Sequence, residues 1–304
     1  MSRPTIAVLL ATYNGEKYLV EQLNSIICQK EVNVHIYISD DGSSDKTIYI
    51  IKSFIKKYPK KIKKFFCSKY KNAAKNFMSF TKKKLNYKYY AYCDQDDIWL
   101  ERKLINALKK INLGYDLYGG RTINTDKNLN IMGKSPNFKI LRTYFNFNNA
   151  LIQSFAGGNT MVFTHKIYKL LEKTDLKKTI VAHDWWTYII ATYCGKKVYY
   201  DAVPYVLYRQ HGKNINGHNL GLINQIVRIY KALKGEYKKW INYNLVLLRD
   251  FDKYGIKKNK VLIKKFFQLR KKNIKLLEPL KTSFLRKEVF GQFKLKLGLF
   301  LKKV

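Results

Sequence analysis

The chain has 304 residues, 46% hydrophobic and 15% aromatic, which excludes global disorder and allows one large domain with a smaller appendage. Four widely spaced cysteines without a CxxC pair argue against a disulfide framework, and no apolar run reaches the roughly 18 residues of a membrane-spanning helix. The 59 Lys and Arg against 21 Asp and Glu give a formal net charge of +38, so an anionic partner is expected and any cluster of acids opposes the trend of the chain.

In chain order, residues 5–11 (TIAVLLA) form a continuous apolar run that predicts a buried strand. Residues 16–29 follow as a helix with Tyr18, Leu19, Leu23, Ile26 and Ile27 on its apolar face. A strand at 34–39, a helix at 44–57, a weaker strand at 62–67 and a helix from about 72 come next. A fourth strand at 89–93 ends directly at an acidic run, and 98–110 reads as a helix. This alternation predicts an α/β fold with a parallel, doubly wound sheet covered on both faces. Residues 116–120 read as a strand, 124–149 as loops with a helical turn or two, and 159–164 as another strand. Helices at 166–173 and 183–193 and short strands at 197–200 and 205–208 complete this part. From about 220 the pattern becomes long amphipathic helices, and residues 221–304 hold 23 Lys and Arg against 5 Asp and Glu. From the cysteine usage a reducing, cytoplasmic compartment is the expected setting, and no charged-then-apolar leader is read at the start.

In open α/β sheets ligands gather at the carboxyl ends of the strands. Three segments fall there: Ala11 to Gly15, Asp40 to Ser44, and Asp94-Gln95-Asp96-Asp97. Each has a plain reading: Asn14-Gly15 and Asp41-Gly42 as turns, Ser43 or Ser44 as a helix cap, and Asp97 as the cap of the helix expected from 98. Their convergence on one sheet edge outweighs those readings. Asp94 and Asp96, two residues apart in an extended segment, point to one side and offer hard oxygen donors suited to Mg²⁺ or Mn²⁺. Asp41 is a candidate acceptor for a base or ribose, and Tyr13 a ring for stacking.

The segments IAVLLATYNGEKYL, VHIYISDDGSSDKT and YCDQDDIW resemble the family-2 glycosyltransferases of the GT-A fold, most closely a DQDD-type, rhamnosyltransferase-like bacterial branch. The likeness continues through Phe155-Ala156-Gly157-Gly158-Asn159-Thr160, His183-Asp184-Trp185-Trp186 and Tyr208-Arg209-Gln210-His211-Gly212, in order over roughly residues 4 to 218. It implies a catalytic domain over 1–218, with 1–97 for the nucleotide and 98–218 for the acceptor, and a basic helical region over 219–304. It also implies that Thr12, Tyr13, Asn14, Asp41 and Asn76 hold the nucleotide, and that Asp96, with Asp94 and His211, holds Mn²⁺ or Mg²⁺. Gly157, Gly158 and Asn159 would flank the donor sugar, Arg209 would contact the diphosphate, and Asp184 would be the base of an inverting transfer. For Trp185 and Trp186, burial in the core and a platform for sugar rings stand as equal alternatives.

The implied reaction moves a sugar from dTDP-rhamnose or a UDP-sugar to a saccharide, expected to be lipid-linked, in the building of bacterial surface polysaccharide. Phe284, Leu285, Phe290, Phe293, Leu295, Leu297, Leu299, Phe300 and Leu301, interleaved with Lys and Arg, fit either attachment to an anionic membrane surface on its inner face or a helical bundle packed on the catalytic domain. The rival reading is a basic membrane-surface or nucleic-acid-binding protein on an inactive fold of this kind. A specific nucleic acid is not expected, because no recognised binding motif appears and acids line the cleft.

Overall fold

A computed structural model describes residues 2–135, 145–211 and 234–271. At its centre, β1 (Thr5–Thr12) pairs in parallel with β2 (Asn33–Asp40) on one side and β4 (Tyr89–Cys93) on the other. Strand β3 (Ile62–Cys67) extends the sheet in parallel beyond β2. Beyond β4 lies the antiparallel β9 (Val162–Thr164), followed by β6 (Leu117–Gly120) and β10 (Val198–Asp201), which run parallel to each other. The resulting order, β10–β6–β9–β4–β1–β2–β3, is the mostly parallel sheet that the alternation predicts.

Helices cover both faces because β1 is apolar at successive positions and its side chains alternate in direction. Ile6, Val8 and Leu10 face α1 (Leu19–Ile27), α2 (Thr47–Lys57) and α4 (Lys103–Ile111) through Leu23, Ile51 and Leu108. Ala7, Leu9 and Ala11 face the opposite way, into a cluster with α3 (Ala73–Ser79), α5 (Phe147–Ala150), α6 (His165–Leu171) and α7 (His183–Tyr193).

A second sheet overturns two expectations. Its order is β5 (Ile98–Trp99), β11 (Val206–Arg209), β7 (Thr122–Thr125) and β8 (Ile131–Ser135). Residues 98–110 are therefore not one helix: Ile98 and Trp99 pair with Leu207 and Val206, and α4 starts only at Lys103. Residues 124–149 are likewise not only loops and helical turns, since β7 pairs with both β8 and β11.

From the basic region, α8 (Glu236–Leu248) and α9 (Lys257–Lys271) are described. Ile241, Leu245, Leu247 and Leu248, with Phe251 and Phe266, join the cluster around α7, and Asn259 donates to the carbonyls of Thr192 and Tyr193 at 2.9 and 3.1 Å. This part packs on the sheet domain. The apolar and basic residues 284–301 lie outside the described residues. All four cysteines are unpaired, and among the described residues no helix is long and apolar enough to cross a membrane.

Candidate active site

The loops after β1 and β2 are laced together by their own side chains. Thr12 Oγ1 donates to Asp40 Oδ2 at 2.8 Å, and the same carboxylate accepts the Ser43 amide at 2.8 Å. Asn14 adopts a left-handed conformation (φ 46°); its amide donates to Ser43 Oγ and its Oδ1 accepts the Ser44 amide, each at 2.8 Å. Ser43 and Ser44 are thus lacing residues and not helix caps, and Asp45 instead accepts the Thr47 amide where α2 begins. The Tyr13 ring is left 55% exposed at the rim, open to a stacking partner.

Asp41 is buried and already accepts the amides of Tyr70 and Asn72, at 2.6 and 2.8 Å, and the Ser68 hydroxyl at 3.0 Å. It holds the loop after β3 in place. Asn76 is equally buried: its Nδ2 donates to the Ser39 carbonyl at 3.0 Å, and its Oδ1 lies 3.0 Å from the shared Ser68 hydroxyl. Both ends of the Asn76 amide, expected at the nucleotide, lie against the walls of the site.

After β4, the four residues of the acidic run separate into different roles. Gln95, given no part by sequence reasoning, exchanges two hydrogen bonds with the Tyr13 backbone, at 2.8 and 2.9 Å, and ties the acidic loop to the loop after β1. A Cβ added at Gly15 would overlap the Gln95 amide, so the two loops approach closely there. Asp96 Oδ2 lies 2.9 Å from His211 Nε2. Asp97 caps no helix: it is fully buried, accepting Asn159 Nδ2 at 2.6 Å and the Arg209 amide at 3.2 Å. Burial, and then the charges of Asp96 and Asp94, hold its carboxyl well above the usual range.

Arg209, expected at the diphosphate, is engaged by groups of the protein itself. Its guanidinium is only 3% exposed and donates to the Asp96 carbonyl at 3.0 Å, the Lys127 carbonyl at 2.8 Å and the Glu21 carboxylate. It also lies 4.4 Å from the Tyr18 ring centroid, and the His211 ring stacks on that tyrosine at 5.0 Å. β11 is therefore a clamp on the acidic loop, with His211 at its tip. A second buried cation escaped the sequence reading. Lys103 is 1% exposed with its ammonium 3.5 Å from the Trp99 ring centroid, and burial lowers its pKa to about 7 against the pull of Cys93, Asp97 and Asp94.

On the opposite side of the cleft stands the first turn of α7. Asp184 lies one residue inside the helix, and its Oδ1 accepts the Trp185 amide at 2.7 Å; Ala182, not Asp184, is the N-cap. Tyr92 of β4 anchors this turn through Thr187 Oγ1 at 3.1 Å and an edge contact with His183 at 4.8 Å. Asp184 thereby comes close enough to Asp94 for their charges to oppose each other. Burial, then Asp96, then Asp184, push the Asp94 carboxyl up to about 8, with Lys103 pulling the other way. Trp185 and Trp186 resolve to the core reading: both are buried, and their indole N–H groups donate to the Ala150 carbonyl at 2.7 Å and to Thr174 Oγ1 at 2.9 Å. Gly157, Gly158 and Asn159 form the turn between these two walls, and a Cβ at Gly158 would overlap the His183 ring.

Among the described residues no three His, Cys, Asp or Glu side chains close into a ligand set for a metal ion. Asp94 is not gathered with Asp96 and His211 as the third ligand of one ion. The chemistry of the pair still fits a hard divalent cation, which commonly takes one or two carboxylates and fills its remaining positions with substrate phosphate and water.

Comparison with known proteins gives the family and the fold. The family model described as Glycosyl transferase family 2 matches residues 7–178. The chain is 31% identical over 281 residues to the dTDP-rhamnosyl transferase RfbG of Shigella flexneri, covering 86% of this chain and 94% of that one. It is 27% identical over 132 residues to the UDP-Glc:alpha-D-GlcNAc-diphosphoundecaprenol beta-1,3-glucosyltransferase WfgD of Escherichia coli, covering 42% and 49%. Among solved structures, S. aureus TarS 1-349 in complex with UDP superposes with a TM-score of 0.54 at 16% identity, over 99% of this chain and 81% of that one. The mannosyltransferase PcManGT of Pyrobaculum calidifontis, in complex with GDP-Man and Mn2+, does so with 0.54 at 15% identity, over 100% and 88%. The chain belongs to glycosyl transferase family 2 and is a glycosyltransferase of the GT-A fold.

Proposed function

We propose that this enzyme transfers a sugar, with inversion and with a divalent cation, from a nucleotide-sugar donor to a saccharide of a bacterial surface polysaccharide. The observation that carries the reading is the meeting of Asp94 and Asp96, at the end of β4, with Asp184 at the start of α7 across one cleft. One wall suits a diphosphate with its cation; the other carries a carboxylate suited to a base. Asp184 takes the proton of an acceptor hydroxyl as that oxygen forms its bond to the anomeric carbon. The bond from that carbon to the diphosphate oxygen breaks, and the nucleoside diphosphate leaves with the electron pair. Asp96 and His211 would hold Mn²⁺ or Mg²⁺, which when bound supplies positive charge to the leaving group. The exposed Tyr13 ring and the loops fixed by Thr12, Asn14 and Asp41 border the nucleotide, and Gly157 to Asn159 border the donor sugar. The likeness over most of its length to a dTDP-rhamnosyl transferase makes dTDP-rhamnose the first donor to test, with UDP-sugars next.

The same proposal includes a catalytic unit over 1–218, a lipid-linked acceptor, and peripheral attachment of the basic region over 219–304 to the inner face of the cell membrane. A panel of donors with Mn²⁺ or Mg²⁺, read by release of nucleoside diphosphate, identifies the donor even with water as acceptor. Asp184→Asn is expected to cut turnover by about 10³-fold or more while nucleotide affinity stays within a few-fold. Asp96→Ala is expected to abolish the Mn²⁺-dependent part of nucleotide binding in calorimetry. Substantial turnover in the Asp184→Asn protein removes the base assignment.

A further inference from the structure

His183 precedes the proposed base, yet its imidazole faces away from any chemistry of its own. Its ring stacks on Phe77 at a centroid distance of 3.8 Å and 19° between planes, and meets the edge of Tyr92 at 4.8 Å. Its Nε2 is shut off from solvent and has no hydrogen-bond partner among the described residues. That nitrogen presses on Gly158, where any Cβ would overlap it. A lone pair tolerates such a place better than an N–H, whose missing acceptor would cost the full desolvation of a donor. Burial holds the pKa at about 3, so the ring is neutral at any working pH.

The contact with Gly158 completes a path across the site. Asn159, the next residue, donates to Asp97 at 2.6 Å, and Asp97 directly follows Asp96. His183 directly precedes Asp184. The turn from Gly157 to Asn159 is thus held at one end by the acidic loop and at the other by the imidazole. We propose that His183 is a positioning residue: a neutral aromatic spacer that, by packing on Gly158, sets how far the base Asp184 stands from the acidic loop and the sugar between them. This rests on the transferase reading given above. The ring needs its size and its place between Phe77 and Tyr92, not a charge.

The coupling is tested by a double-variant cycle on the full chain. Hydrolysis of dTDP-rhamnose and UDP-glucose with Mn²⁺ gives turnover, and calorimetry with Mn²⁺ and dTDP or UDP gives nucleotide affinity. His183→Ala and Gly158→Ala should each lower turnover on the order of a hundredfold, the cost of a small misplacement, while nucleotide affinity stays within about twofold. The protein carrying both changes should be no slower than the slower single variant, because the added methyl enters space the imidazole has left. Losses that multiply in the double variant overturn the proposal, as does a His183→Ala protein that turns over like wild type or loses nucleotide affinity in step with turnover. If wild-type protein hydrolyses no donor of the wider panel, the proposed donor and base roles fail instead. The same cycle read in melting temperature then decides the contact, and additive losses there overturn it.

Discussion

At Asp94 two effects add: partial removal from water, and the neighbouring charges of Asp96 and Asp184, which together push its pKa from 3.8 to about 8. Between those values the folded, metal-free protein keeps a proton that the unfolded chain has released. Linkage then makes stability fall as pH rises from about 4 to about 8, by up to about 1.4 kcal/mol per unit. Below that window both states hold the proton, and above it neither does, so the dependence vanishes on either side. Asp94→Asn should flatten the slope in melting temperatures recorded with a chelator present. Saturating Mn²⁺ should stabilise wild type more at pH 8 than at pH 6, because the cation favours the ionised site. A metal-free wild type with the same profile as Asp94→Asn would show that Asp94 is not the group under strain. The acidic run holding Asp94 and Asp96 is conspicuous in so basic a chain, whereas Asp184 stands out only through the family resemblance. Gln95 and Lys103 were not legible in the sequence, since an amide bonded to the Tyr13 backbone and a lysine inserted over Trp99 depend on pairings that no local pattern carries.

At the level of elements, the parallel strands were legible because β1, β2 and β4 are short apolar runs separated by helical periods. The second sheet was not. Ile98 and Trp99 suit the apolar face of a helix as well as a strand, and their partner β11 lies more than a hundred residues away. Missing that pairing hid the contacts of Arg209, which the resemblance placed at the diphosphate. In the fold it joins α1, the acidic loop and the turn between β7 and β8 through Glu21, the Asp96 carbonyl and the Lys127 carbonyl. A lysine keeps the charge but not the planar fork that reaches three acceptors. Arg209→Lys should therefore weaken Mn²⁺-dependent nucleotide binding about tenfold, equivalent to ~1.4 kcal/mol, through misplacement of Asp96. Calorimetry with and without Mn²⁺ checks this. If the loss is equal in the absence of metal, Arg209 acts on the nucleotide directly and not by holding Asp96.

Across the whole molecule the charge is divided unevenly: the cleft gathers Asp94, Asp96, Asp97 and Asp184, while the chain as a whole carries +38. A basic body alone draws the protein to anionic surfaces, so binding to acidic vesicles says little about any one segment. Residues 280–304 add seven Lys and Arg against one Glu, set among Phe and Leu at near-helical spacing. Two contributions with different signatures follow. Lysines near an anionic leaflet give about 1 kcal/mol each and fade as salt shortens the Debye length from ~10 Å at 0.1 M to ~3 Å at 1 M. Phe and Leu seated in the interface bury apolar area, which salt does not screen. If the tail is a membrane anchor, full-length protein sediments with phosphatidylglycerol vesicles at low salt and keeps a measurable part of that binding at 1 M salt. Protein lacking 280–304 retains the salt-sensitive part and loses the rest. Equal retention of both proteins at high salt would assign the membrane contact to the folded body, where α8 and α9 already cover the sheet domain.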